Sequence, residues 1–74
     1  MNTDTTDYGV VGHIEHNPDP FYAPNNWFYT VDYATADGER NLDLDSFDYG
    51  NVETREFAEE CVADAIARYR DSAR

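Results

Sequence analysis

Residues 27–47 read WFYTVDYATADGERNLDLDSF, and they decide the fold. Trp27, Tyr29, Val31 and Tyr33 fall on one face of the first run. Alternation over this length predicts a strand with one buried face. Leu42 and Leu44 share one face of a second run, NLDLDS, and predict a second strand. Between the runs lies Asp37-Gly38, the strongest short-range hairpin signal, because both residues tolerate positive φ. The expected hairpin has an apolar side and a polar side, the latter carrying Thr30, Asp32, Asn41, Asp43 and Asp45.

Working outward, residues 8–15 (YGVVGHIE) predict an earlier strand in which Tyr8, Val10, Gly12 and Ile14 share a face; its glycines point to a bulge or a close backbone approach. Residues 1–7 are polar and are expected to be flexible. Residues 16–26 hold three prolines and three asparagines and predict a loop. Its Phe21 and Tyr22 either fold over the edge of the core or wait for a partner. Residues 48–53 predict a turn, and residues 54–73 a helix. Thr54 can cap that helix. Glu53 and Glu56 stand at the positive end of its dipole, and Arg68, Arg70 and Arg74 at the negative end. Phe57, Ala58, Cys61, Val62, Ala65, Ile66 and Tyr69 recur at helical spacing and form an apolar stripe. The reading is one α+β domain over residues 1–74: a three-stranded antiparallel sheet, strands about 8–15, 27–35 and 39–46, packed on one C-terminal α-helix (βββα). Phe57, Val62, Ile66 and Tyr69 are expected against Tyr29, Val31, Leu42 and Leu44.

A chain of 74 residues makes one small domain, burying about 60% of its unfolded surface. Its single cysteine excludes an internal disulfide and suits a reducing cytoplasm. It holds no apolar run of membrane-spanning length and no leader pattern, so the expectation is a cytoplasmic protein with no membrane partner. Sixteen acids face five arginines and no lysine, a net charge of −11. Such a field repels nucleic acid and anionic membranes and speeds encounter with basic surfaces. The 15% aromatic content argues against a disordered acidic chain.

Catalytic and metal patterns do not assemble. Asp43, Asp45 and Asp48 begin like a calcium loop, but its spacing then puts Phe47, Asp48 and Thr54 where a ligand, a glycine and a glutamate belong. His13 and His16 would point to opposite faces of a strand. Cys61 lies on the helix stripe, where a thiol is inert. The expectation is a non-enzyme with no cofactor and no metal. What remains is a carboxylate array: Asp32, Glu39, Asp43, Asp45 and Asp48, helped by Glu59 and Glu60 from the helix, as candidate partner-binding residues. Carboxylates crowded on one sheet face repel one another. Three explanations fit them: a field used on a basic partner, adaptation to high salt, or plain solvation.

Three strands followed by one amphipathic helix, with Trp27 in the second strand, resemble the small DNA-binding domains of AP2 transcription factors and of tyrosine-integrase arm-binding domains. Those domains often carry a Phe-Asp-Thr-x-Glu-x-Ala run leading into the helix. Here Phe47-Asp48 is followed, after an insertion, by Thr54-Arg55-Glu56-Phe57-Ala58. The family reads DNA with arginine and aromatic residues on its exposed sheet face. The corresponding face here is expected to carry Asp32, Asn41, Asp43 and Asp45, the wrong charge for phosphate. A DNA-binding shape with inverted charge suggests a DNA mimic. In size, charge and style the chain is similar to phage-encoded anti-CRISPR proteins, several of which present carboxylates to the basic DNA channel of a type I Cascade complex, and to a small inhibitor of the type I-C system. That resemblance implies a monomer in the host cytoplasm that binds a CRISPR effector and no nucleic acid directly. Two other classes fit the composition. One is a halophile's small nucleic-acid-binding or regulatory domain, which retained arginine without lysine suits. The other is a small phage structural or assembly protein.

Overall fold

The strand β3 (Trp27–Tyr33) sits inside a four-stranded antiparallel sheet, flanked by β2 (Val10–His16) and β4 (Asp48–Val52). The outer neighbour of β2 is β1 (Asn2–Asp7), so the strands run in chain order, and the helix α1 (Arg55–Ser72) follows β4. The computed structural model describes residues 2–7 and 9–72. Met1, Tyr8, the expected last helical residue Ala73 and Arg74 lie outside them. The antiparallel α+β architecture with a single C-terminal helix is as expected; the sheet carries one strand more.

Register follows the alternation in residues 27–33. Tyr33, Val31, Tyr29 and Trp27 stand opposite Val10, Gly12, Ile14 and His16 of β2, and Val31, Tyr29 and Trp27 stand opposite Asp48, Gly50 and Val52 of β4. This face receives the helix. Ala58, Val62, Ala65 and Ile66 are buried against Val10, Ile14 and Val31, and Trp27, Tyr29, Tyr33, Phe47, Val52 and Tyr69 close the rim. Gly12 is the close approach that the early glycines pointed to, since a methyl group there would run into the side chain of Val62. Tyr33, Phe47 and Tyr69 pack edge to face, with ring centroids 5.4–6.4 Å apart. Thr54 caps α1, its Oγ1 accepting from Phe57 N at 3.1 Å.

Three expectations need correction. Residues 2–7 form β1, paired along its length with β2, instead of a flexible end. β2 is buried at Val10, Val11 and Ile14, and without β1 its outer backbone groups would be left unpaired. Residues 39–46 do not form a strand. Asp37-Gly38 does turn the chain, with Gly38 at φ +82° and its N–H on Thr35 O at 2.9 Å, but the ladder ends at the bridge Ala34↔Arg40 and the bond from Asn41 N to Tyr33 O. Continuing that pairing would set Leu42 opposite Asp32 and Leu44 opposite Thr30, on the face away from the helix. Instead Asn41 Oδ1 accepts from Asp43 N at 3.1 Å and the chain turns out. It returns at Phe47, whose N–H meets Val31 O at 2.7 Å, and residues 48–52, expected to be a turn, pair with β3. Leu42 and Leu44 are therefore exposed, as is Phe57, and none of them contributes to the core cluster.

Candidate partner-binding surface

Asp32 faces away from the helix, and it is only 3% exposed. Its neighbour across the ladder is Val11, also buried. The excursion formed by residues 35–47 brings two partners to it, and β3 itself supplies a third. Arg40 Nε donates to Asp32 Oδ2 at 2.9 Å, Thr30 Oγ1 donates to the same oxygen at 2.9 Å, and Ser46 Oγ donates to Oδ1 at 2.5 Å. Burial pushes this carboxyl up, but the bonds from Ser46, Arg40 and Thr30 outweigh it and hold Asp32 below the ordinary carboxylate range. Asp32 thus pins the excursion to the sheet rather than facing a partner. Thr6 Oγ1 adds a tie from β1 to Gly38 O at 3.0 Å.

The other expected acids separate into two groups. Asp48 lies toward the helix, with Oδ2 accepting from Arg68 Nη2 at 2.7 Å, and Glu59 takes Arg55 Nε at 3.1 Å within α1. Asp64 is the second acid on Arg68, at 3.0 Å. Burial, followed by the charge of Asp48, raises the pKa of Tyr29 above its ordinary value, so this rim phenol stays neutral in the physiological range. Glu39, Asp43 and Asp45 stand exposed on the excursion, and Glu60 is exposed on α1. The array is thus not a row on one flat sheet face. Its outward-facing part is a protruding turn, to which Asp37 adds a carboxylate that the hairpin reading treated only as a turn residue. Arg40, Arg55, Arg68 and Arg70 each have an acid within 4 Å, so the described cations are already engaged by acids of the same chain.

The helix-free sheet face also carries Phe28, Thr30, Tyr49 and Asn51, in addition to Val11, His13, Glu15 and Asp32. His13 and His16 do point to opposite faces: His13 Nε2 lies 3.6 Å from Glu15, and His16 packs on Trp27 with centroids 4.8 Å apart. Tyr22, on a short 3-10 turn at Pro20–Tyr22, packs edge-on against Phe28 at 4.9 Å, and Phe21 packs on Tyr22 but is otherwise exposed. One of the two aromatics in that loop covers the sheet, and the other meets solvent. Tyr49 is 73% exposed. Beside it the returning excursion leaves an open depression lined by Thr30, Asp45, Ser46 and Tyr49. The turn expected over residues 48–53 hides Tyr49, and the strand expected over residues 39–46 gives no reason to single out Ser46. The signal was there in the alternation Tyr49, Asn51 against Gly50, Val52, but a glycine in so short a run obscured it. The chain matches no family model, no curated protein and no solved structure.

Proposed function

We propose that this protein is a stoichiometric inhibitor of the anti-CRISPR kind, which acts as a DNA mimic in the basic nucleic-acid groove of a type I Cascade complex, with the type I-C effector as the first candidate. It works by binding, without turnover, as a monomer in the host cytoplasm. The observation that carries the reading is the placement of charge. Four exposed acids, Asp37, Glu39, Asp43 and Asp45, stand outward on a turn tied to the sheet through Asp32, and the described arginines are engaged by acids of the same chain. A partner's lysines and arginines would meet carboxylates with few competing cations, which favours charge-assisted contacts and fast encounter. Glu39, Asp43 and Asp45, with Asp37, take the part of phosphates. Asp32 supports them from inside.

The test is inhibition of target-DNA binding by purified effector complexes. Asp43→Lys with Asp45→Lys should abolish inhibition while the protein stays folded, since both residues are exposed. Inhibition should be competitive with DNA and should weaken as salt is raised. A charge-reversed protein that inhibits as well as wild type would remove the excursion as the contact. A shift of duplex DNA by the protein alone, at about 0.15 M salt, would remove the mimic reading altogether.

The absence of lysine favours a second reading, a small nucleic-acid-binding or regulatory domain from a high-salt cytoplasm. Such a domain should lose structure below about 1 M salt, where its acids are no longer screened, and the inhibitor should not.

A further inference from the structure

We propose that the depression between β3, β4 and the end of the excursion receives an arginine side chain from a basic partner protein. The inference rests on the reading above for the kind of partner, and on the local chemistry for the group bound. Four residues line the depression: Thr30, Asp45, Ser46 and Tyr49. The Thr30 and Ser46 hydroxyls have their protons committed, Thr30 Oγ1 to Asp32 Oδ2 at 2.9 Å and Ser46 Oγ to Asp32 Oδ1 at 2.5 Å. A carboxylate only accepts, so neither hydroxyl can donate to an occupant without breaking its bond to Asp32; each offers lone pairs. Asp45 adds a carboxylate and Tyr49 a broad exposed ring. Thr30, Ser46 and Asp45 therefore present acceptors beside an aromatic ring, whose own hydroxyl can either donate or accept. That combination suits an occupant that only donates, is planar and is cationic. The guanidinium has five donors in one plane and stacks on aromatic rings, whereas an ammonium is compact and strongly hydrated. The net charge of −11 supplies the long-range complement, and Arg40, which shares the Asp32 carboxylate with Thr30 and Ser46, is held by it.

The test uses a blocked peptide of alternating arginine and glycine and its lysine counterpart, titrated into the isotopically labelled protein at about 0.15 M salt. The arginine peptide should move the amide signals of Thr30, Ser46 and Tyr49, and should bind several-fold more tightly than the lysine peptide. Tyr49→Ala and Asp45→Asn should each weaken it by about ten-fold. Tyr49→Phe should retain binding, because the ring face remains. Glu56→Gln, which removes the same unit of charge from the exposed first turn of α1, should change affinity by less than about two-fold. Shifts spread along α1, equal losses from Asp45→Asn and Glu56→Gln, or no binding would each overturn the proposal. So would dimerisation of the protein that Tyr49→Ala abolishes, since the occupant would then be a second copy. The peptide measurement needs no effector complex. A slot that binds arginine without any inhibition of Cascade leaves this inference standing and removes the inhibitor reading; inhibition untouched by Tyr49→Ala and Asp45→Asn, with no peptide binding, does the reverse.

Discussion

Asp32 links the interior to the surface through one side chain. Its buried carboxylate accepts from Arg40, Thr30 and Ser46, so truncation would leave a guanidinium and two hydroxyls without their acceptor. Asp32→Ala is expected to cost about 2–4 kcal/mol in urea unfolding at neutral pH, less than a fully buried ion pair because Arg40 keeps some access to water. The pH dependence has a definite sign. The folded carboxyl lies below its unfolded value, so the native state binds fewer protons there. The stabilisation is complete above about pH 5 and is lost as the pH falls through the ordinary carboxylate value toward the folded one. Asp32→Asn should flatten that part of the stability–pH curve; an unchanged acid limb would show that other carboxylates dominate it. Gly12 is a second sensitive position. Gly12→Ala is expected to cost about 1–3 kcal/mol because its methyl group meets Val62, and Val62→Ala in the same chain should return part of that loss.

At the level of elements, the helix–sheet layer and the excursion predict opposite responses. Ile66 is buried between α1 and the sheet, and Ile66→Ala should cost about 2–5 kcal/mol. Leu42→Ser and Leu44→Ser remove exposed side chains and should each change stability by less than about 0.5 kcal/mol. Were they core residues of a strand, each would cost several times that, so the same denaturation series separates the two arrangements. Amide exchange gives an independent reading: the β4 amides that bond to β3 should be protected, and residues 42–45 should exchange fast. The α1 stripe is also narrower than its sequence suggests. Ala58, Val62, Ala65 and Ile66 lie against the sheet, and Phe57 turns to solvent.

Across the whole molecule, charge and shape are separable. The apolar layer lies on one side of a single sheet, and the other side is closed only in part, by the excursion and by the short turn carrying Tyr22. The acid excess can therefore act on a partner without being needed for the fold. Asp43→Lys with Asp45→Lys, which shifts the net charge by four units, should leave thermal unfolding at physiological salt nearly unchanged, because both residues are exposed. A rise in stability well beyond that would show that self-repulsion strains the native state, as the high-salt reading requires.

Residues 27–33, with four apolar or aromatic side chains on one face, determined by themselves that a strand would run there. The spacing of Ala58, Val62, Ala65 and Ile66 likewise determined a helix, and Thr54 its start, because hydrogen bonds within the element and one-sided burial are local properties of the chain. The face of β2 that Val10, Gly12 and Ile14 share was legible for the same reason. Which segment completes the sheet beside β3 was decided only by tertiary structure. Residues 41–46 alternate better than residues 48–52, but the Asp37-Gly38 turn fixes a pairing that would carry Leu42 and Leu44 to the wrong face, and the returning strand offers Gly50 beneath the Tyr29 ring. β1 is a similar case: its residues have no apolar pattern, and its pairing answers the exposed backbone of β2. The candidate site divides along the same line. That the chain is acidic follows from composition, and that Asp43 and Asp45 reach solvent follows from their alternation with Leu42 and Leu44, although the strand that alternation predicts does not form. That Asp32 and Asp48 are engaged internally, and that Tyr49, Ser46 and Thr30 meet Asp45 around one depression, depends on contacts between residues far apart in sequence, which no local pattern encodes.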